Sequence, residues 1–587
     1  MKTEHIVFLA RKFNLVLLGP EQNQTSDSFN FDLVNHGVIC DFSPDAQQIK
    51  AVSEIYDKVN LRNSLFTYDQ MENMDIVDKI DAQLSEYMLS YGLGGAFIRT
   101  RKKKHVKIML ITGADLASLR DVIKRQISRK LALKSEDISI LAEIISIYAP
   151  EIDIKAVSNN ELRVKLLSSF FAAGKLLENV TREDLVRFIT FTYTGSTLLI
   201  KSNEVISTIK ESEEKIAPEF LFQNRVQLAE CFNRFKPIFL ALKKSSRSNA
   251  AINTISRLSK YHHIPVGMPK SRTFIADFLR EPNYSKEAFN QFSIFDKFRI
   301  LNAIALQKSD LENDVFQIRN GKIWFQKRKT VRSQEQLEAI ERYVLSNIKD
   351  HLLHLKNHNI KLPHTIRYGL PISEKQTIGK LPFGTVITTF QIGKTISVGI
   401  YWQNDWGARD LDLSLIDISG QRTGWGDAAS FMRDNIKFSG DITNAPEGAM
   451  EFMTVTKSSG FGLFVNIFDG AIGSSCKLII GEKNLEKNHW IDRIYIDEKT
   501  SLDSRGNILG FVTPDNDYIV YKGRLGSSNV SSPKHTAIIG RALTKLWTVN
   551  GLFKELNLKY NNKIESTFDL SYENMSFEKL ANLFEQS

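Results

Sequence analysis

The period of the apolar positions changes twice along the chain. Residues 1–113 mix short strand-like runs with helical spacing: IVFLARKFNLVLLG, then AQQIKAVSEIYDKV, then GGAFIRT and VKIMLIT on either side of a basic turn. This mixture predicts an α+β N-terminal region. From 114 to 365 the apolar residues return at helical intervals, as in ADLASLRDVIKRQISRKLAL, REDLVRFITFTY and RVQLAECFNRFKPIFLALKK, with polar and Pro-containing breaks between them. The expectation is a mostly α-helical middle body. Within it, Ser333 and Gln336 form a capping-box pattern ahead of Leu337, Ile340, Val344, Ile348, Leu352 and Leu355, spaced by three and four. After Pro363 the pattern shortens to β-branched and aromatic runs set off by Gly, Asn and Asp, among them ISVGIYW, DLDLSLIDI, MEFMTVT, FGLFVNIFDG and CKLIIG. Strands at this spacing predict a β-sandwich over 366–525. Residues 526–587 open with the link GSSNVSSPKH and end in the helical pattern SFEKLANLFEQ, which reads as a linker and a docked helical tail. The fold class is therefore α+β multidomain.

Composition narrows the function more by exclusion than by indication. With 587 residues, 42% hydrophobic and 25% charged, the chain can bury several cores and is neither disordered nor fibrous. Lys+Arg 77 against Asp+Glu 67 leaves a formal charge of +10, which suits an acidic partner without requiring one. The charge is uneven. Residues 366–525 carry 17 Lys/Arg and 19 Asp/Glu, a net of −2, so the flanks hold +12. Three scattered cysteines, Cys40, Cys231 and Cys476, exclude a thiolate zinc finger and a disulfide scaffold and point to a reducing compartment. The N-terminal apolar stretch is broken by Arg11 and Lys12, and no run approaches the roughly 20 apolar residues of a membrane span. A cytoplasmic protein without a transmembrane segment is expected. The QIGKT at 391–395 lacks the glycine spacing of a phosphate-binding loop, and GxSxG and HExxH patterns are missing, so the chain leans away from an enzyme.

The chemistry concentrates in YWQNDWGARDLDLSLIDISGQ. In a strand, alternation puts Asp410, Asp412 and Ser414 on one side and sends Leu411, Leu413 and Leu415 into the core. Two carboxylates about 6 to 7 Å apart, at an effective dielectric near 20, repel by about 2 to 3 kcal/mol. A cation would offset this, and oxygen donors suit a hard ion such as Ca²⁺, which accepts six to eight of them. Further oxygens are offered by Asp441, Asn444, Glu447 and Glu451 in SGDITNAPEGAMEF. The competing reading keeps the aspartates solvated, paired with Arg409 or Lys437, or bonded to loop amides.

The block GIYWQNDWGARDLDLSLIDISGQ, followed by KFSGDITNAPEGAMEF and GLFVNIFDGA, resembles the TerD domain of tellurite-resistance and stress-response proteins. The resemblance implies a β-sandwich that binds Ca²⁺ through acidic loops. Its pattern falls here on Trp406 and Gly407, Asp410 and Asp412, Ser439 to Ile442, and Glu451. Ile442 stands where the family usually has Asn, and Ala449 and Met450 replace further carboxylates. VTREDLVRFITFTYTGST, CFNRFKPIFLALKKS, SRTFIADFL and IRNGKIWFQKRKT look like segments of the long bacterial TerD-containing proteins, some of which carry a RING finger that three scattered cysteines cannot form. The resemblance implies a non-enzymatic scaffold or sensor linked to stress, metal resistance or phage defence, with protein partners.

Two other clusters offer different chemistry. Arg99, Arg101, Lys102, Lys103, Lys104 and Lys107 sit between two strand-like runs and suit phosphates or an anionic membrane surface. Lys327, Arg328 and Lys329 could extend that surface, with Trp324 and Phe325 available to stack on bases. This gives the alternative of a nucleic-acid-binding effector, and a mobile-element or virion structural protein is a third class. His351, His354 and His358 share a helical face, but Leu352 and Leu355 claim the buried side, so helix-end histidines are expected rather than a metal site.

Overall fold

The computed structural model describes residues 2–19, 22, 38–57, 109–172, 180–196, 203–264, 289–290, 292–317, 321, 323–328, 332–388, 395–424, 432–433, 435–446, 448–482, 493–524, 533–561 and 568–585. The chain is mixed α+β. It divides into two compact units: one is residues 2–8 with 114–293, the other residues 9–113 with 294–587 and Met1. Among the described residues, no helix is long and apolar enough to cross a membrane.

The unit of residues 2–8 and 114–293 is helical. Its helices start where short polar side chains satisfy free backbone amides: Asp115 accepts from Ser118 N, Thr181 from Asp184 N, and Ser245 closes a capping box with Ser248. The helix Arg182–Thr194 stops at Gly195, whose φ of 68° is the left-handed conformation that a glycine adopts without strain. Leu185, Phe188 and Ile189 from this helix meet Phe220, Phe232, Phe239 and Ile252 in one core. Arg163 ties the neighbouring helix Asn160–Ala172 to Asp184 at 2.9 Å.

The other unit holds the sheets. The sequence places the helices Ile294–Lys308 and Gln334–His351 with the helical body, yet both cluster with the sheet-bearing unit. The capping box of Ser333 and Gln336 starts the second of these, and Leu337, Ile340, Val344 and Ile348 form its buried face. The unit's two large sheets are built from β1 Ile366–Arg367, β2 Val386–Ile387, β3 Ile396–Trp402, β4 Ala408–Asp417, β5 Arg422–Gly424, β6 Met432–Arg433, β7 Ile436–Phe438, β8 Ala449–Val455, β9 Phe461–Gly470, β10 Ser475–Glu482, β11 Arg493–Ser501, β12 Gly506–Val512 and β13 Tyr518–Gly523. They pair antiparallel in a seven-stranded sheet, β5-β4-β9-β12-β13-β2-β1, and a six-stranded sheet, β6-β7-β8-β3-β10-β11.

The two sheets meet at specific bonds. Trp402 of β3 donates its indole N–H to Arg409 O of β4 at 3.2 Å, and Glu451 of β8 reaches Leu413 N of β4 at 3.0 Å. Leu411, Leu413 and Leu415 are fully buried, as are Val398, Ile400 and Trp402. The other face of β4 is covered too. Ile416 and Phe464 pack with Phe511, Ile539 and Leu543, the last two from the helix Pro533–Leu543. Alternation along β4 therefore separates two buried faces rather than a wet one and a dry one.

Candidate cation-binding site

The candidate site lies at the start of β4. A short 3₁₀ turn, Asn404–Trp406, ends at Gly407 with φ 95°, and the strand then runs through Asp410 and Asp412. Pairing with β9 slips here: Asp410 faces Asp469, while Leu411 already faces Ile467. The slip is a β-bulge, which aims side chains away from the regular pleat.

Asp441 comes from the loop between β7 and β8, and that loop is held by named bonds. Asn404 N donates to Ala445 O at 2.9 Å, Ala445 N to Asn404 Oδ1 at 2.9 Å, and Asn404 Nδ2 to Asn444 Oδ1 at 2.9 Å. Gly448, with φ 106°, lets the chain pass the ring of Tyr401, because a Cβ there would come within 2.0 Å of the phenolic oxygen. Glu451 then fixes the loop to the strand: Oε1 accepts from Ile442 N at 2.8 Å and Oε2 from Leu413 N at 3.0 Å. One buried side chain thus joins the residue after Asp441 to the residue after Asp412.

As a result, Asp410, Asp412 and Asp441 each bring a carboxylate oxygen to within 4.8 Å of the others. Asp410 and Asp412 are both 5% exposed, whereas Asp441 is open to solvent. Asp410 Oδ1 is buried and has no hydrogen-bond partner among the described residues. A buried acceptor in that state ordinarily costs about 1 to 3 kcal/mol. Burial, aided by the neighbouring charges of Asp410 and Asp441, pushes the Asp412 carboxyl up to about 7, while Arg422 pulls against the shift. Burial also raises Asp410, with Asp441 and Asp469 adding to the effect. Glu451 is pushed up to about 9 by burial, against the amides of Ile442 and Leu413 that lower it.

Of the six oxygen donors expected from sequence, the structure brings three together. The Asn444 carbonyl accepts from Asn404 Nδ2, Glu451 accepts from a backbone amide with each oxygen, and Glu447 lies outside the described residues. Two neighbours were missed. Asp469 enters through the β4–β9 register and Arg422 through the β4–β5 hairpin, which pairs it with Ile416. The NIFDG run contained a signal for Asp469. No local spacing marks Arg422, because only the hairpin register brings it near Asp412.

The basic candidates divide differently. Arg99, Arg101, Lys102, Lys103, Lys104, Lys107 and Lys329 lie outside the described residues. Lys327 is exposed at the end of the strand Ile323–Lys327. Arg328 turns inward: it donates to Leu306 O at 2.9 Å, Gln307 O at 3.1 Å and Asp314 Oδ1 at 3.1 Å, capping the end of the helix Ile294–Lys308. Phe325 packs against a buried cluster, and the Trp324 side chain is outside the described set. The histidines serve packing. A ring nitrogen of His351 meets Phe584 O at 3.1 Å, one of His354 meets Leu583 O at 3.3 Å, and His358 sits edge-on to Phe568.

In a second group, Glu4, His5 and Glu143, both carboxylates already face a cation, since Lys2 Nζ lies 2.9 Å from Glu143 and 3.6 Å from Glu4. The donors at β4 are oxygen only, one of them buried without a partner, and this fits a hard cation. Compared with protein-family models, curated proteins and solved structures, the chain has no significant match.

Proposed function

We propose that this chain is a non-enzymatic scaffold or sensor whose two-sheet region is a TerD-like β-sandwich that takes Ca²⁺ at Asp410, Asp412 and Asp441, in the service of stress, metal-resistance or phage-defence responses through protein partners. The observation that carries the reading is the buried, unpartnered Asp410 Oδ1 set among two more carboxylates. Asp410, Asp412 and Asp441 would hold the ion, which would supply the positive charge that burial denies them. Glu451 positions the loop and Asn444 braces it. Three protein carboxylates leave open positions on an ion that accepts six to eight oxygens, so a modest affinity and a sensor role follow. The scaffold side of the reading is supported by the cysteines: Cys40, Cys231 and Cys476 are buried, and their thiols are pushed up to about 12, which removes thiolate chemistry at neutral pH.

The test is thermal unfolding of the full chain in EGTA and in Ca²⁺ titrated from micromolar to millimolar, with Mg²⁺ as control. An ion at about 100 times its dissociation constant stabilises by about 2.7 kcal/mol. Ca²⁺ should raise the transition of the sheet-bearing unit, Mg²⁺ should not, and Asp410→Asn should remove the response. A wild-type midpoint that neither ion moves would overturn the reading.

A further inference from the structure

The helix Ser246–His262, in the helical unit, carries Arg247, Arg257 and Lys260 and no carboxylate. It closes a basic stretch: residues 225–262 hold eight Lys/Arg against Glu230 alone, whereas residues 114–224 hold 15 Lys/Arg against 16 Asp/Glu. One side of the helix enters the core through Ala251, Ile252 and Ile255. Helical spacing turns Asn249, Asn253, Arg257, Lys260 and Tyr261 the other way, and all five are exposed. Lys243, just ahead of the helix, joins them, because its Nζ donates to Asn253 Oδ1 at 2.7 Å. Residues 253, 257 and 260 stand at successive helical turns, so three cations follow one another at about 5.4 Å. No carboxylate of the described residues pairs with Lys243, Arg257 or Lys260, whereas Arg247 faces Glu219 at 3.2 Å, Arg225 donates to Phe222 O at 2.9 Å and Lys244 to Lys210 O at 3.0 Å. Tyr261, 83% exposed, ends the row.

We propose that this face binds single-stranded nucleic acid, with Lys243, Arg257 and Lys260 on its phosphates and Tyr261 stacked on an unpaired base. The inference is independent of the cation reading above. Charge complementarity selects a polyanion, since a row of cations without acidic partners releases the counterions of a phosphate chain on contact. Asn249 and Asn253 beside Arg and Lys add amide donors of the kind that phosphate and sugar oxygens accept. Tyr261 chooses among polyanions. An exposed aromatic ring next to cations is a stacking platform for any base, and a duplex hides the base faces it would need. A bilayer does not fit, because an interfacial helix binds through an apolar face, and here that face is already in the core. An acidic peptide would meet the cations but brings no base for Tyr261.

The experiment titrates the full chain into labelled oligo(dT) of about 20 nucleotides, alone or paired with oligo(dA), and follows anisotropy across a series of salt concentrations. The single strand should bind more tightly than the duplex. Tyr261→Ala should weaken single-strand binding about tenfold, leave the duplex nearly unchanged and keep the salt dependence. The triple variant Lys243→Gln, Arg257→Gln, Lys260→Gln should lower the log–log salt slope by about 2, at about 0.7 per phosphate contact. These side chains are exposed, so all variants should keep the wild-type thermal midpoint, which serves as the folding control. A folded triple variant with the wild-type slope overturns the proposal, as does a Tyr261→Ala chain that binds the single strand like wild type. Oligo(dT) left unbound while phosphatidylserine vesicles or poly-glutamate are bound, and released by the triple variant, would assign the face to a membrane or an acidic protein and overturn the nucleic acid.

Discussion

Asp412→Asn should make the protein more stable when no cation is present. The Asp412 carboxyl has an ordinary value of 3.8 and is pushed up to about 7 in the folded chain, chiefly by burial. A carboxyl raised on folding binds its proton more tightly in the native state, so folding is favoured at low pH and penalised once the group ionises. Below about pH 3.8 the penalty is absent. It grows as pH rises and is complete above about 7. At about 1.4 kcal/mol per unit, linkage gives about 1.6 kcal/mol at pH 5 and about 4 kcal/mol at pH 8. Asparagine keeps the shape and removes the charge, so in EGTA the variant should gain most of that amount at pH 8 and less than half of it at pH 5. With an unfolding entropy of about 2.1 cal/mol/K per residue, a cooperative unit of several hundred residues shifts by about 1 °C per kcal/mol, so the midpoint should rise by about 3 to 5 °C at pH 8. Ca²⁺ at about 100 times its dissociation constant returns about 2.7 kcal/mol to the wild type and nothing to the variant, which narrows the gap. Scanning calorimetry at both pH values, with EGTA and with Ca²⁺, reads all of this. If the variant is less stable than wild type in EGTA at pH 8, Arg422 already compensates Asp412 and no cation is needed.

Two further substitutions probe buried polar contacts elsewhere in the sheet-bearing unit. Lys12 Nζ lies 2.9 Å from Glu374 and 3.5 Å from Glu578, with all three residues under a tenth exposed. Lys12→Met leaves two facing carboxylates in the interior and should cost about 3 to 5 kcal/mol at pH 8 in urea unfolding. Because Glu374 is already pushed up to about 8, part of that loss should return as pH falls toward 5, and an equal loss at both pH values would contradict the assignment. Arg328→Gln removes donors from Leu306 O and Gln307 O and should destabilise by about 1 to 3 kcal/mol. A variant with an unchanged midpoint and weaker nucleic-acid binding would return Arg328 to the surface role its sequence context suggested.

Much of the local structure was legible because it depends on neighbours in the chain. The capping box at Ser333 and the alternation of β4 each need only a few residues of context. What could not be read depends on elements that arrive from far along the chain. The Asp410 face of β4 reads as wet, yet the helix Pro533–Leu543 covers its far end at Ile416 and Phe464. Glu451 reads as a ligand because it sits in an acidic stretch. Its partners are instead amides of a facing strand and a loop, set by how the two sheets lie together. His351 and His354 meet carbonyls of Phe584 and Leu583, which no spacing within their own helix foretells.

The aspartates are the place where local pattern and burial conflict. A strand residue that is 5% exposed is ordinarily apolar or fully hydrogen-bonded, and Asp410 Oδ1 is neither. Sequences that specify one fold are consistent across levels, and the exceptions gather where something outside the polypeptide completes the arrangement. Glu451 strengthens this argument. It does not relieve the repulsion; it holds the Asp441 loop against β4 and so maintains it. A side chain that fixes three carboxylates within 4.8 Å, at a penalty of several kcal/mol in the bare protein, makes physical sense if a cation enters the space they surround.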